Sequence, residues 1–143
     1  MTPDVIFSIA NSVALASWIL IAAVPRRRWA TGVVAGLVVP ALFAVAYGAI
    51  IAVRFAGSDG GFSSLPAVAA LFADPWLLLA GWLHYLAFDL LVGSWEVRDA
   101  QARGISHLLV LPCLVLTFMF GPVGWLLYVA LTRFREPRFT AAA

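Results

Sequence analysis

The chain has 143 residues, of which 64% are hydrophobic and 11% charged, with a mean hydropathy of +1.00 and a net charge of +2. Soluble domains are roughly half apolar and about a quarter charged. The composition therefore excludes an ordinary soluble enzyme, a disordered chain and a nucleic-acid-binding domain, and leaves a small polytopic membrane protein.

The basic charge comes from nine arginines and no lysine. The arginines sit in clusters between apolar runs, as membrane-flanking charge does, so no nucleic-acid partner is expected. The lysine-free, alanine- and arginine-rich composition suggests a GC-rich bacterial source. The single cysteine, Cys113, has no intrachain disulfide partner and reads as a small buried hydrophobe.

Four apolar stretches, about 4–24, 29–53, 76–95 and 107–132, are long enough to cross a bilayer. Each is expected to be helical, because the hydrocarbon core offers backbone groups no water. The expected fold is all-α: one transmembrane domain over 1–143, a four-helix bundle with a short interfacial helix before the third span. In the first stretch Thr2 can cap, Pro3 suits the first turn and Asp4 favours the positive end of the helix dipole. It stops at Pro25, before Arg26, Arg27 and Arg28; charge after the apolar core, rather than before it, argues against a cleaved signal peptide.

The second stretch carries Gly32 and Gly36, small residues at helix-packing spacing. Packing within one chain is the simpler reading, and a homo-oligomer through Gly32 and Gly36 is the alternative. Residues 57–64 form a glycine-rich loop with no preceding strand and no following lysine, so they are not a phosphate loop. Residues 65–73 are too short to span and are placed at the interface as a helix. Asp74 and Pro75 cap and start the third span, and Ser106 caps the fourth, in which Pro112 and Pro122 predict kinks. With four spans, the N-terminus, the second loop and the tail would share one side. The arginines then divide four against five and leave the orientation weakly determined, with the first loop in the cytoplasm and both termini outside.

Ionisable groups inside a bilayer are costly and ask for an explanation. Besides Asn11 in the first span, the candidates are His84, Tyr85, Asp89, Glu96, Arg98, Asp99 and His107. Tyr85 and Asp89 are four apart and share a helix face. Asp89 and Glu96 are seven apart, which turns them about 20° from each other with about 10 Å of rise. His84 points about 140° away from Asp89. His107 could approach Glu96 or Asp99 if the fourth helix returns beside the third, and Asp99 with Arg103 makes an (i, i+4) ion pair. The residues lack the HxxxH, ExxH or CxxC spacings of metal sites, and no nucleophile-elbow motif surrounds Ser94 or Ser106, so neither a metal nor any other cofactor is expected. General acid–base chemistry fits this set best. The plain structural reading is that the boundary charges form a solvated loop and that His84 and Asp89 fix helix contacts. The tryptophans read as interface anchors and packing groups.

The run GWLHYLAFDLLVGSWEVRDAQARGISHLLVLPCLVLTFMFGPVGWLLY (81–128) resembles the abscisic-acid-deficient-four-like family of small membrane proteins. The stretches FSIANSVALASWILIAAVPRRRW (7–29) and SLPAVAALFADPWLLLAGW (64–82) extend the resemblance over almost the whole chain. The plant members are four-span plastid membrane proteins needed to make neoxanthin from violaxanthin. The resemblance therefore implies an isomerisation in which an epoxide opens, a neighbouring proton leaves and an allene forms. Such a reaction needs an acid and a base and no net redox change. Asp89 or Glu96 would be the base; a protonated carboxyl, His84 or Tyr85 would be the proton donor.

The chain starts close to its first span, so no plastid transit peptide is expected. The expected location is the bacterial inner membrane, and the expected partners are membrane lipids and an apolar isoprenoid or carotenoid ligand. The contrasting expectation is a non-catalytic pigment- or lipid-binding protein, or an assembly partner of another enzyme. A small transporter is a third class, for which four spans make a narrow bundle.

Overall fold

The computed structural model describes residues 1–135, which fold as helices without a strand. Helix α1 is Pro3–Ala23, and a π-helical segment, Trp29–Val38, runs straight into α2, Val39–Arg54. A single 3₁₀ turn, Phe55–Gly57, leads to the short α3, Leu65–Leu71. The long α4 is Pro75–Ala102, followed by α5, His107–Phe120, and α6, Pro122–Arg135.

The predicted helix starts are chemically specific where a side chain caps them. Asp74 accepts from the backbone N–H of Trp76 at 2.7 Å and of Leu77 at 3.3 Å, and Pro75 fills the first turn. Ser64 does the same for α3, accepting from Ala67 at 3.3 Å. Thr2 and Ser106 stand at their N-cap positions, yet neither side chain makes a capping bond.

Helix α4 is the axis of the molecule. Half of its apolar window is buried, against 28% in α1 and 22% in the stretch Trp29–Gly57, so the other helices surround it and face outward. Its Leu79, Leu83, Leu86, Leu90 and Val97 pack against Ala14, Trp18 and Ile21 of α1, Phe43 of α2, Val110 and Leu114 of α5, and Tyr128 of α6. Outward-facing apolar side chains are abundant: Ile9, Ile19, Leu42, Val45, Val115 and Leu126 are each at least half exposed. A surface of that kind is stable against lipid tails and unfavourable in water.

Close approaches use small residues. The Trp18 indole lies where a Cβ on Gly93 would be. Gly36 faces the Ser94 hydroxyl, which would come within 2.6 Å of a Cβ, and Ser94 donates to the Thr31 carbonyl at 2.5 Å. Gly32, by contrast, has open space beside it. Thus Gly36 packs within the chain, while Gly32 faces outward.

Long-range contacts give the direction of each helix. Phe7 meets Trp82 near the starts of α1 and α4, and Gln101 donates to the Pro25 carbonyl at 2.5 Å beyond the end of α1, so these two helices run parallel. The segment Trp29–Arg54 runs the opposite way: Thr31 meets Ser94 and, at the far end, Arg54 meets Asp74 at 4.0 Å and the Trp76 ring at 5.5 Å.

The fourth expected span, 107–132, is not one helix. Helix α5 enters beside the end of α1, where His107 bonds Ala22, and descends until Phe118 reaches Tyr85. At Gly121, whose φ is +49°, the chain reverses beside Asp89. Helix α6 climbs back, with Gly124 against the Thr117 backbone and Tyr128 bonded to Asp99. Each arm has 14 residues. At about 1.5 Å per residue an arm is about 21 Å long, short of a hydrocarbon core of about 30 Å. Among the described residues, three helices are long and apolar enough to cross a bilayer: Pro3–Ala23, Trp29–Gly57 and Pro75–Ala102. The expected kink at Pro112 does not end α5; the break falls at Gly121-Pro122.

The hairpin also changes the distribution of charge. Arg133 and Arg135 come back to the end of the molecule that holds Arg26, Arg27, Arg28, Arg98 and Arg103, while Arg54 is at the opposite end with Asp4, Asp59 and Asp74. The expected even division of arginines is thereby overturned, as is the placing of the end of the last helix beside the N-terminus. Arg138 lies outside the described residues.

Candidate functional site

The side of α4 that faces the hairpin carries, in order, Tyr85, Asp89, Glu96 and Asp99. Their near-heptad spacing keeps them on one side of the helix, and each meets a different level of the hairpin.

Glu96 is completely buried. Its two carboxyl oxygens accept from the single Thr117 hydroxyl, at 3.0 and 3.2 Å. Asp99, near the helix end, accepts from Tyr128 at 2.6 Å and from Arg103 Nε at 2.7 Å. These two carboxylates are committed to holding α5 and α6 against α4.

Asp89 differs. It sits at the hairpin tip, with Oδ1 3.0 Å from the place a Cβ on Gly121 would take, so the glycine leaves room for the carboxyl. Its Oδ2 is buried and has no hydrogen-bond partner among the described residues. No cationic side chain pairs with Asp89 or Glu96 among the described residues. An unsatisfied buried carboxyl oxygen is costly, and one held in place is a common mark of a working group. The Tyr85 hydroxyl, one turn earlier on the same side of α4, donates to the Phe118 carbonyl at 3.2 Å.

An outward-opening groove leads to Tyr85. A cavity of about 330 Å³ between α1, α4 and the hairpin tip is lined by Asn11, Leu15, Trp82, Tyr85, Phe118 and Met119. Trp82 donates to Asn11 Oδ1 at 2.8 Å, which satisfies the intramembrane asparagine and holds the indole. A second cavity, of about 290 Å³, continues past Trp82 to Pro3, Asp4 and Pro75. Ring contacts follow the same seam, from Phe7 to Trp82 at 5.4 Å and from Trp82 to Tyr85 at 5.2 Å. The result is an aromatic track, open at its side, with the Tyr85 hydroxyl at its inner end and Asp89 one helical turn farther along α4, outside the lining.

The remaining sequence candidates lie elsewhere. His84 faces the α2 side, where its ring contacts Tyr47 at 5.5 Å and Phe88 at 4.6 Å. Arg98 bonds the Ser94 carbonyl through Nε at 3.2 Å and borders a separate cleft. His107 donates through Nε2 to the Ala22 carbonyl at 2.9 Å, tying α5 to the end of α1; its hydrogen bond does not go to Glu96 or Asp99. Among the described residues, no three of the His, Cys, Asp and Glu side chains come together as metal ligands would.

Thr117, Tyr128, Phe118 and Gly121 were not among the sequence candidates. A signal for the last was present, since Gly-Pro dipeptides mark turns. The others gain their roles only when the hairpin folds back.

Fold and site together define a small all-helical integral membrane protein with carboxyl groups set between a central helix and a helical hairpin. The chain belongs to the ABA DEFICIENT 4-like family, whose model matches residues 5–128. No curated protein and no solved structure is detectably similar to it.

Proposed function

We propose that this protein is an acid–base isomerase of carotenoids or related isoprenoid lipids, working at Tyr85 and Asp89. The observation that carries the reading is a buried Asp89 oxygen without a hydrogen-bond partner among the described residues, one helical turn from Tyr85, which lines an aromatic, outward-opening groove. A long polyene would enter sideways from the bilayer and lie along Phe7 and Trp82. The Tyr85 hydroxyl would donate its proton to the substrate oxygen, and the Asp89 carboxylate would take a proton from the neighbouring carbon. In an epoxide this breaks one C–O bond and one C–H bond, forms an O–H bond and a new double bond, and leaves the formula unchanged. Proton transfer from Asp89 to Tyr85 would then restore both groups.

The proposed membrane arrangement is three full spans, with the helical hairpin entering and leaving on one side in place of the expected fourth. The bacterial inner membrane is the proposed location.

The test is expression of the chain in a bacterial host making an epoxy-carotenoid, with the pigments separated by chromatography and mass spectrometry. The expected result is a new isomer of equal mass that is lost with Asp89→Asn. A pigment that co-purifies unchanged would favour the non-catalytic binding reading instead, which the same groove supports.

A further inference from the structure

At the arginine-rich end of the molecule, the start of the π-helical segment and the last turns of α4 enclose a cleft of about 510 Å³. Arg28, Thr31, Gly32, Arg98, Gln101 and Ala102 line it. We propose that this cleft binds a phosphate group, as carried by the headgroup of an anionic phospholipid.

Two guanidinium groups from different helices border one cleft, and no carboxylate pairs with either among the described residues. Like charges placed together without a counter-ion repel, and an anion between them reverses the sign of that energy. Arg98 is already positioned. Its Nε is held by the Ser94 carbonyl at 3.2 Å, which leaves its two terminal nitrogens free to form the paired bonds that suit a phosphate.

The walls are fixed by short bonds on either side: Ser94 to the Thr31 carbonyl and Gln101 to the Pro25 carbonyl, both 2.5 Å. Gly32 adds no side chain to the floor, where open space lies beside it. Farther along the same π-helical segment, Val33 and Leu37 expose 50% and 61% of their surface, a flank that acyl chains would cover. The cleft opens from the π-helix and the end of α4, whereas the aromatic groove runs between α1, α4 and the hairpin tip. The two sites are separate, and this inference does not depend on the isomerase reading.

Native mass spectrometry of the full chain in mild detergent tests the proposal, with phosphatidylglycerol, phosphatidylcholine and inorganic phosphate titrated separately. Phosphatidylglycerol is expected to bind at one site more tightly than phosphatidylcholine, and Arg28→Gln with Arg98→Gln to weaken it about tenfold or more. Arg26→Gln with Arg27→Gln removes the same charge outside the cleft and is expected to leave binding within about twofold. Should the double variant not survive extraction, Arg98→Gln alone and the wild-type comparison of the two lipids carry the test. Inorganic phosphate binding as tightly as phosphatidylglycerol would identify the source as free phosphate at the same site. Equal binding of the two lipids with no phosphate binding, or equal loss in the two double variants, would overturn the proposal.

Discussion

Asp89 and Glu96 are one helical heptad apart on α4, yet their surroundings give them different work. Glu96 has both oxygens on the Thr117 hydroxyl and no exposed surface, which suits a tie between helices. Asp89, beside Gly121 at the hairpin tip, keeps one buried oxygen without a hydrogen-bond partner among the described residues. Asp89→Asn is therefore expected to lower turnover by about 10² or more, the usual scale for removing a positioned acid or base, in membranes that contain normal amounts of protein. Glu96→Gln should change stability more than the chemistry. Thr117→Val keeps the shape but strips Glu96 of its donor, and is expected to cost about 1–3 kcal/mol, read as an earlier midpoint in detergent unfolding. Spacing alone placed Tyr85, Asp89 and Glu96 on one side of α4 and turned His84 away. It could not reveal that Thr117 satisfies Glu96, because that partner is 21 residues away and reaches it only through the fold.

At the level of elements, the decisive feature is the reversal at Gly121-Pro122. The local sequence is apolar on both sides of it, so hydropathy alone reads 107–132 as one long span. Gly121 supplies a positive φ that side chains disfavour, and Pro122 starts a new helix without needing an N–H partner. Tertiary contacts complete the hairpin: Gly124 lets α6 press on the Thr117 backbone, and Tyr128 reaches Asp99. Replacing the lone Cys113 with alanine and placing single cysteines at Ser106 and Arg133 tests this arrangement. Both are exposed, and both are expected to react with a membrane-impermeant thiol reagent from the same side. Labelling from opposite sides would restore a single span. The start of α4 was legible because its cap is local: Asp74 sits within three residues of the N–H groups it satisfies.

For the whole molecule, the hairpin turns an ambiguous charge pattern into a polarised one. The end bearing Arg26, Arg27, Arg28, Arg98, Arg103, Arg133 and Arg135 is expected to face the cytoplasm, since positive flanking charge is retained there. The loop around Ser63 would then face outward. In intact cells a cysteine at Ser63 should react with an impermeant reagent, and one at Arg27 should react only after permeabilisation; the reverse pattern would invert the orientation. In this arrangement the cytoplasmic face holds the phosphate cleft, and the aromatic groove opens from the bilayer toward the opposite face.

Composition and hydropathy by themselves determined that this chain is helical and built for a membrane, because a bilayer leaves so apolar a sequence few other ways to satisfy its backbone. Local spacing determined which ionisable groups share a side of α4. Only the tertiary structure decided where the last 29 residues of the described chain turn, which carboxyl is tied and which keeps a buried oxygen without a partner among the described residues, and which end collects the arginines. Those outcomes depend on contacts between residues far apart in sequence, whose energies no local window contains.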